Sequence, residues 1–170
     1  MTHAEGDDHM STGAAEGTGL GTLRGRDYPC VRQFSIFSPN RLGQLQNLTK
    51  LVESNDLRIC ALSVADSADC AIIRLVVSEP ERCFELLTRS KYAFCEIDLL
   101  AVALPDRDKP LLSICSTLLS AEIDIHYCFP LFVQSHGRST VAFHVSDVET
   151  ACRVLGQRGF ELISENEFTE

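Results

Sequence analysis

An internal repeat constrains the fold of this chain more than any other feature of its sequence. When Pro39-Asn40-Arg41 is placed over Pro105-Asp106-Arg107, the segments that follow align at an offset of 66 residues, which rises to 68 after a two-residue insertion. Two units result, at residues 32–98 and 99–166. Such a chain is expected to fold as two copies of one small domain. The aligned pairs include Leu45 with Leu111, Leu48 with Ile114, Ile59 with Ile125, Val77 with Val145 and Leu87 with Leu155.

Each unit has the hydrophobic pattern of a strand, a helix, two strands, a helix and a strand. In the first unit, Leu45, Leu48 and Leu51 form a helical stripe, and Leu57 and Ile59 alternate with other residues as in a half-buried strand. The βαββαβ order predicts an α+β fold of two tandem ferredoxin-like units, each an antiparallel sheet with both helices on one face. Tandem units can hide sheet edges by pairing side by side, and the edge strand left in each unit predicts a homodimer.

Turn and capping residues set the expected boundaries. Ser78 is predicted to cap the second helix, with Pro80 in its first turn and Glu81 closing a capping box. Ser146 is predicted to cap the equivalent helix of the second unit. The stretch 94–104 ends one unit and begins the next with almost no linker. Residues 1–31 are predicted to be a flexible tail, because residues 1–30 hold six of the ten glycines, and residues 167–170 form the C-terminal end.

The composition excludes several classes of function. Apolar residues make up 45% of the chain, as in globular proteins, and the net charge of −9 argues against nucleic acid or an anionic membrane as a partner. No apolar run approaches the ~18–20 residues of a membrane helix, and the N-terminus does not resemble a secretory signal, so we expect a cytoplasmic protein. The eight cysteines are expected to be reduced, because most lie in apolar stretches and a cytosolic chain of this length needs no disulfides. No two of them have the spacing of a zinc site.

Two motifs of the repeat resemble those of the ACT domain family. Asn40–Leu45 (NRLGQL) is similar to the family's (N/D)-R-P-G-x-L loop, with Leu42 in place of proline, and Asp106–Leu111 (DRDKPL) is the second copy. Asp56–Ser63 (DLRICALS) is similar to the family's strand motif G-I-N-I-x-x-L-S, and Glu122–Tyr127 (EIDIHY) is its second copy. The resemblance spans residues 32–166, which is nearly all of the predicted ordered chain.

This resemblance implies small regulatory modules that bind amino acids, without catalysis, cofactor or metal. The chain departs from the family where Asp56 and Glu122 replace a usual glycine and where Lys109 replaces the loop glycine of the second copy. Arg58 and Asp124 stand where the family often has an asparagine that contacts the ligand. The ligand-binding positions that the resemblance implies are Asn40, Arg41, Leu42, Gly43, Gln44, Leu45, Arg58, Asp106, Arg107 and Asp124.

The first loop also has a physical logic of its own. The start of a helix offers unpaired backbone N–H groups and a partial positive charge, which suit a carboxylate. Gly43 lets a ligand approach this backbone without a side chain in the way, and the side chain of Asn40 or Asp106 can accept a hydrogen bond from an ammonium group. An amino acid supplies both charges. From the loop alone, a plain turn is the other interpretation.

One further cluster invites a chemical interpretation. A hairpin that turns near residues 134–138 would place His144 opposite Cys128, on the helix-free face that also holds His126. A Cys/His/His set can bind a metal, and a thiol beside an imidazole can act as a nucleophile. We expect neither, because a polar outer face, or a face packed against another subunit, explains these residues more simply. A one-residue slip in the register would also scatter the cluster.

Two functional hypotheses follow from the sequence. The first is a non-catalytic regulator or sensor that binds an amino acid between units, in contact with the loop at residues 40–45 and the second strand of a neighbouring unit. The alternative is a ligand-free regulatory subunit that docks on a metabolic enzyme. An enzyme is the class of protein that the sequence favours least.

Overall fold

The computed structural model describes residues 28–39, 41–66 and 70–168, so most of the predicted tail lies outside these ranges. Within them, no helix is long and apolar enough to cross a membrane. Both units have the predicted order of elements. In chain order these are β1 (Val31–Pro39), α1 (Gln44–Glu53), β2 (Ile59–Asp66), β3 (Cys70–Val77), α2 (Pro80–Arg89), β4 (Ala93–Ala103), α3 (Pro110–Ser120), β5 (Ile125–Ser135), β6 (Arg138–Val145), α4 (Val148–Gln157), β7 (Leu162–Ile163) and a short 3-10 helix (Glu165–Phe168).

Strand β4 belongs to both units. Its residues 93–99 pair antiparallel with β1, which gives the first sheet the order β2-β3-β1-β4. Its residues 100–103 pair with β6, and Ala101 and Val102 also pair with β7, which gives the second sheet the order β5-β6-β4-β7. Both orders are those of a ferredoxin-like unit. The predicted α+β fold of two tandem units is therefore confirmed, and a single strand replaces any linker between them.

Three hydrophobic cores hold the molecule together. In each unit, one face of the sheet packs against the two helices, around Phe34 in the first unit and Phe143 in the second. The third core lies between the units and joins the helix-free faces of both sheets, with Val76 from the first and Leu131 from the second. From the sequence, this face was expected to be polar or covered by another subunit. The second unit of the same chain covers it instead.

The two units also have left-handed backbone at equivalent positions. Gly43 and Lys109 have φ values of 86° and 52°, and Asp56 and Glu122 both have a φ of 57°. Glycine alone adopts this region without steric cost. This explains why the strand motif of the family begins with glycine at the position of Asp56 and Glu122. Lys91 and Gly159 form a third equivalent pair, with φ values of 59° and 76°.

The predicted capping of the second helix in each unit is wrong by one residue. Ser78 does not cap α2, whose N-cap is Glu79, without a side-chain capping bond. The Ser78 hydroxyl oxygen instead accepts a hydrogen bond from the Arg58 amide at 3.3 Å, which ties the start of β2 to the end of β3. In the second unit, Asp147 rather than Ser146 caps α4. Both serine hydroxyls accept hydrogen bonds from amides next to the sheet, and the N-cap of each helix is the following residue.

A buried cluster of ion pairs joins the two ends of the described chain. The Arg32 side chain is 2% exposed, and its guanidinium lies 2.8 Å from Glu81, 3.3 Å from Glu96 and 3.4 Å from Glu165. Burial opposes the charge on Arg32, but its hydrogen bond with Glu81 and the nearby carboxylates raise the pKa of Arg32 above its usual value. Burial also raises the pKa of Glu165, although Arg32 opposes this shift. The cluster fastens the 3-10 helix to β1.

All eight cysteines lie within the described ranges, and none takes part in a disulfide. Cys30, Cys60, Cys83 and Cys152 are buried. Burial raises the pKa of Cys83 and of Cys152 to about 12. Both thiols therefore stay protonated at neutral pH and pack as small apolar groups.

Candidate ligand-binding site

The first loop leaves β1 and begins α1 in a tight turn. The Arg41 amide donates a hydrogen bond to the Pro39 carbonyl oxygen at 2.8 Å. Gly43 takes the N-cap position with φ 86° and ψ −5°, and its carbonyl oxygen accepts a hydrogen bond from the Asn47 amide at 2.9 Å. Among the described residues, no side chain caps this helix. The Gln44 amide donates a hydrogen bond to the Arg41 carbonyl oxygen at 3.4 Å, and the amides of Leu45 and Gln46 keep their hydrogen-bonding capacity for a ligand or for water.

The approach to these amides is open. A Cβ atom added to Gly43 would meet no other atom within 4 Å. Leu42 is fully exposed and Leu45 is 39% exposed, so two apolar side chains flank the helix start. The Gln44 side chain turns back toward the sheet, where its carbonyl oxygen accepts a hydrogen bond from the Ser38 hydroxyl at 3.4 Å. Sequence reasoning missed Ser38, which no motif marks.

Asn40, the predicted acceptor for an ammonium group, lies outside the described residues. The other five residues of the first loop motif, Arg41 to Leu45, form one continuous surface at the end of β1. The first part of the predicted site is therefore contiguous in space because it is contiguous in sequence.

The second loop has a similar left-handed turn and a different surface. The Arg107 amide donates a hydrogen bond to the carbonyl oxygen two residues earlier, at 2.9 Å, as in the first loop. Lys109 takes the N-cap position with φ 52° and ψ 55°, and Pro110 follows it without an N–H group. The Arg107 guanidinium lies 4.6 Å from the centre of the Phe160 ring, whereas Asp106 is exposed. Pro110 thus lacks the amide that Gln44, at the equivalent position of α1, donates to the Arg41 carbonyl oxygen at 3.4 Å.

Arg58 and Asp124 do not join the loops of their own units. Each precedes the first residue of its strand, β2 or β5, whereas the loop of the same unit lies at the other end of the sheet. The length of β2, roughly 25 Å, separates Arg58 from that end. The Arg58 guanidinium donates a hydrogen bond to the Phe168 carbonyl oxygen. Asp124 is exposed, and its amide donates to the Ser146 hydroxyl at 3.1 Å.

A shallow groove of about 680 Å³ continues from the first loop along the outer face of α1. The sequence analysis did not predict this groove. Its residues could have been grouped by their spacing, because residues three or four apart share a helix face. All of its lining residues except Leu45 are of polar type, and they include one basic and one acidic side chain. Its lining residues are Leu45, Gln46, Thr49, Lys50, Glu53 and Ser54.

The Cys/His/His cluster considered from the sequence does not form. His144 pairs with Tyr127, and Cys128 pairs with Phe143, which belongs to the helix-side core of the second unit. A bulge at the start of β5 shifts the register by one residue, so Cys128 and His144 lie on opposite faces. His126 and His144 still approach each other, with ring centroids 4.7 Å apart. Among the described residues, no three side chains are placed to hold a metal ion.

Nor does Cys128 have the character of a nucleophile. Burial, with a smaller contribution from Cys115, raises the pKa of the Cys128 thiol. A catalytic thiol needs the opposite shift, because the thiolate is the reactive form.

Comparisons with known proteins agree with this geometry. A family model described as an ACT domain pair matches residues 29–170. Protein BT0572 from Bacteroides thetaiotaomicron is similar in structure over 84% of this chain and 98% of its own, with a TM-score of 0.76 and 22% identity. The ligand-free regulatory subunit of aspartate kinase from Thermus thermophilus is similar over 78% of this chain and 95% of its own, with a TM-score of 0.51 and 13% identity. A comparison with curated protein sequences gave no match.

At these identities the solved structures establish a shared fold alone, whereas the family model matches nearly all of the described residues. The motifs that carry the resemblance also have the geometry that the fold requires. Each loop motif forms the left-handed turn that starts α1 or α3, and each strand motif begins with a left-handed residue and continues into β2 or β5. The chain therefore belongs to the ACT domain pair family.

Proposed function

We propose that this protein is a non-catalytic regulator or sensor that binds a free amino acid at its first loop. The ligand carboxylate accepts hydrogen bonds from the amides at the start of α1. The ammonium group is bound by a side-chain oxygen of the same loop, for which Asn40 is the candidate. Family membership supports a regulatory role, and the geometry of the loop supports the chemistry of the ligand.

The open, uncapped start of α1 is the observation that carries this proposal. A carboxylate there meets backbone donors that no side chain satisfies, and it gains from the positive end of the helix dipole. Gly43 supplies the left-handed turn and places no side chain over the amides. A hydrogen bond to a charged group contributes about 1.5–3 kcal/mol, so two such bonds, with Leu42 and Leu45 packed on the ligand, support a dissociation constant of about micromolar to millimolar.

The second loop is the weaker site in this proposal. Lys109 places a long side chain at the position of Gly43, and Pro110 removes a donor. Asp106 keeps an acceptor for an ammonium group, but Arg107 rests on Phe160. The second loop therefore folds like the first and binds less well.

A thermal-shift screen of the full chain against the twenty amino acids tests the proposal. At 100 times its dissociation constant, a ligand that binds only the native state stabilises it by about 2.7 kcal/mol, which raises the melting temperature by roughly 5–10 °C. Gly43→Lys is the matched control, because Lys109 shows that a lysine adopts this turn. We expect one or a few amino acids to shift the wild type and not Gly43→Lys. Twenty flat curves for the wild type contradict the proposal.

The alternative is a ligand-free regulatory subunit that docks on a metabolic enzyme. Exposed leucines on α3 favour it, since large exposed apolar side chains mark interaction surfaces. Flat thermal-shift curves together with an enzyme that co-purifies with the full chain at fixed stoichiometry decide in favour of this alternative.

A further inference from the structure

We propose that a groove beside α4, the α4 groove, binds a small molecule that has an aromatic ring and a cationic amine. The groove has a volume of about 500 Å³, which is in the usual range of small-molecule sites. It lies between α4, the residues that lead into β1, and the segment from β7 to the 3-10 helix. None of its lining residues belongs to the first loop, so this site is additional to the amino-acid site proposed above. Its apolar lining consists of Tyr28, Pro29, Cys152, Gly156, Phe160 and Leu162.

The two units differ in the size of the side chains at this place. In the first unit, the ring of Phe84 on α2 packs edge-on against that of Phe94 on the following strand, with ring centroids 5.5 Å apart. An aromatic ring therefore fits between the second helix of a unit and the strand after it. In the second unit, three lining positions carry smaller side chains than their equivalents 68 residues earlier: Cys152 for Phe84, Gly156 for Thr88 and Leu162 for Phe94.

Gly156 leaves room next to the backbone of α4, and the fold does not require a glycine there. Its φ is outside the left-handed region, and a glycine within a helix is destabilising relative to alanine. An added Cβ would meet only the Leu162 side chain, at 4.0 Å, so no close neighbour excludes a larger residue. On another side of the groove, the Cys152 thiol donates a hydrogen bond to the Pro29 carbonyl oxygen at 3.2 Å and holds the start of the chain against α4.

The charges around the groove favour a cationic head group on the ligand. Glu149 lines the groove from the first turn of α4, and Glu167 lines it from the 3-10 helix. The Glu167 carboxylate accepts a hydrogen bond from the Ser164 amide at 3.0 Å, which fixes its position. Arg153 is the one basic side chain among the described lining residues. Two carboxylates against one guanidinium, on a molecule with a net charge of −9, attract a cation.

The preceding part of the chain is the other candidate occupant of the groove. Residues 1–27 lead directly to Tyr28, which lines it, and they include Leu20 and Leu23. They contain no Phe, Tyr or Trp, so they cannot supply the ring that packs at this place in the first unit. A separate aromatic molecule therefore fits the groove better.

An NMR titration of the full chain with phenethylamine tests the proposal. We expect amide resonances around Gly156 to shift, with a dissociation constant of about 1 mM or below. Phenylpropionate, which joins the same ring to an anionic head, should bind at least about 5-fold more weakly. Butylamine, which has no ring, should bind at least about 10-fold more weakly. No shift around Gly156 with phenethylamine, or equal affinities for the three probes, overturns the proposal.

Two variants of α4 locate the ring and the amine. Gly156→Leu fills the groove and should weaken phenethylamine binding at least about 10-fold, while the melting temperature stays the same or rises because leucine is the better helix former. Thr88→Leu, at the equivalent position of the first unit, is the control and should keep the wild-type affinity. Glu149→Gln should weaken phenethylamine binding about 3-fold and leave phenylpropionate binding no weaker. Wild-type affinity for phenethylamine in Gly156→Leu overturns the site.

Two further variants separate this site from the first loop and from the preceding segment. Gly43→Lys should bind phenethylamine as the wild type does, so failure of the α4 groove and failure of the amino-acid site are distinguishable. Leu20→Ser combined with Leu23→Ser should also keep the wild-type affinity. If this double variant binds phenethylamine more than about 5-fold more tightly, the preceding segment occupies the groove and the proposal is wrong.

Discussion

Gly43 and Lys109 occupy the same place in the two units, at the N-caps of α1 and α3, and leave different surfaces there. Both have left-handed backbone, although their ψ values are −5° and 55°. Gly43 adds no side chain at the helix start, whereas Lys109 adds a long one and Pro110 lacks an amide hydrogen. Farther along the helices, the outer face of α1 carries Gln46, Thr49 and Glu53, whereas that of α3 carries the exposed Leu112 and Leu119.

This contrast shows which properties the fold dictates and which it leaves free. The left-handed turns and the bulge at the start of β2 and β5 recur in both units, so they belong to the backbone path that the units share. The outward side chains do not recur, because no packing constraint acts on them. The helix starts and the outer helix faces of the two units can therefore differ without a change of fold.

The largest expected effect concerns Arg32, whose counterpart in the second unit is Asp98. Arg32→Leu is expected to lower the free energy of unfolding by about 3–5 kcal/mol, because it leaves the buried Glu165 carboxylate without its counter-ion. Urea unfolding measures the loss. Arg82→Leu is the control, since the Arg82–Glu79 pair is exposed and its removal should change stability little.

A double variant separates the ion pair from simple packing. Arg32→Leu combined with Glu165→Leu removes both buried charges, so it should recover a large part of the stability that Arg32→Leu loses. If the double variant is as unstable as the sum of the single variants, the two ends of the chain are not coupled through this pair.

A smaller effect is expected from the ring cluster of the second unit, which consists of His126, Tyr127 and His144. His144 stands at the position that the buried Val76 occupies in the first unit. Burial lowers the pKa of His144, with help from His126 and Arg74. Below about pH 6.5 the unfolded state therefore binds more protons than the folded state, and the free energy of unfolding falls as the pH decreases toward the lower, folded-state pKa. His144→Val should flatten this slope in urea melts from about pH 7.5 to 5.

His136→Asn is the control for the pH experiment, because it removes an exposed histidine from the hairpin turn and leaves the ring cluster intact. It should keep most of the wild-type slope. An unchanged slope in His144→Val would show that other groups cause the pH dependence.

The smallest expected effect concerns Lys91 and Gly159, the left-handed residues that follow the second helix of each unit. Gly159→Lys should lower the free energy of unfolding by about 1 kcal/mol through backbone strain alone, because an added Cβ meets no atom within 4 Å. Lys91→Gly should change it by less than about 1 kcal/mol, since relief of strain offsets the entropy of glycine in the unfolded chain. If Gly159→Lys instead raises the free energy of unfolding, the two positions are not equivalent.

The features that local spacing determines could be predicted from the sequence. The periodicity of Leu45, Leu48 and Leu51 predicted α1, and the unbroken stretch at 94–104 predicted a junction without a linker, which is β4. The first loop was also predictable, because five of its motif residues are adjacent in sequence and form one surface.

Features that depend on distant contacts could not be predicted in this way. The bulge at the start of β5 moved His144 opposite Tyr127, and alternation alone cannot show a bulge. The Arg32–Glu165 contact joins residues 133 positions apart. Arg58 was named as a ligand contact by resemblance, and no sequence pattern could show that its guanidinium donates a hydrogen bond to the Phe168 carbonyl oxygen, 110 positions away.

Isothermal titration calorimetry, with the amino acid that gives the largest thermal shift, compares the two loops most directly. Gly43→Lys is predicted to raise the dissociation constant at least about 10-fold, because the new side chain blocks one or two charge-assisted hydrogen bonds. Lys109→Gly is predicted to leave it within about twofold of the wild-type value or to lower it. Intact binding in Gly43→Lys together with lost binding in Lys109→Gly would contradict the assignment, and would mean that Lys109 itself pairs with the ligand carboxylate in the second unit.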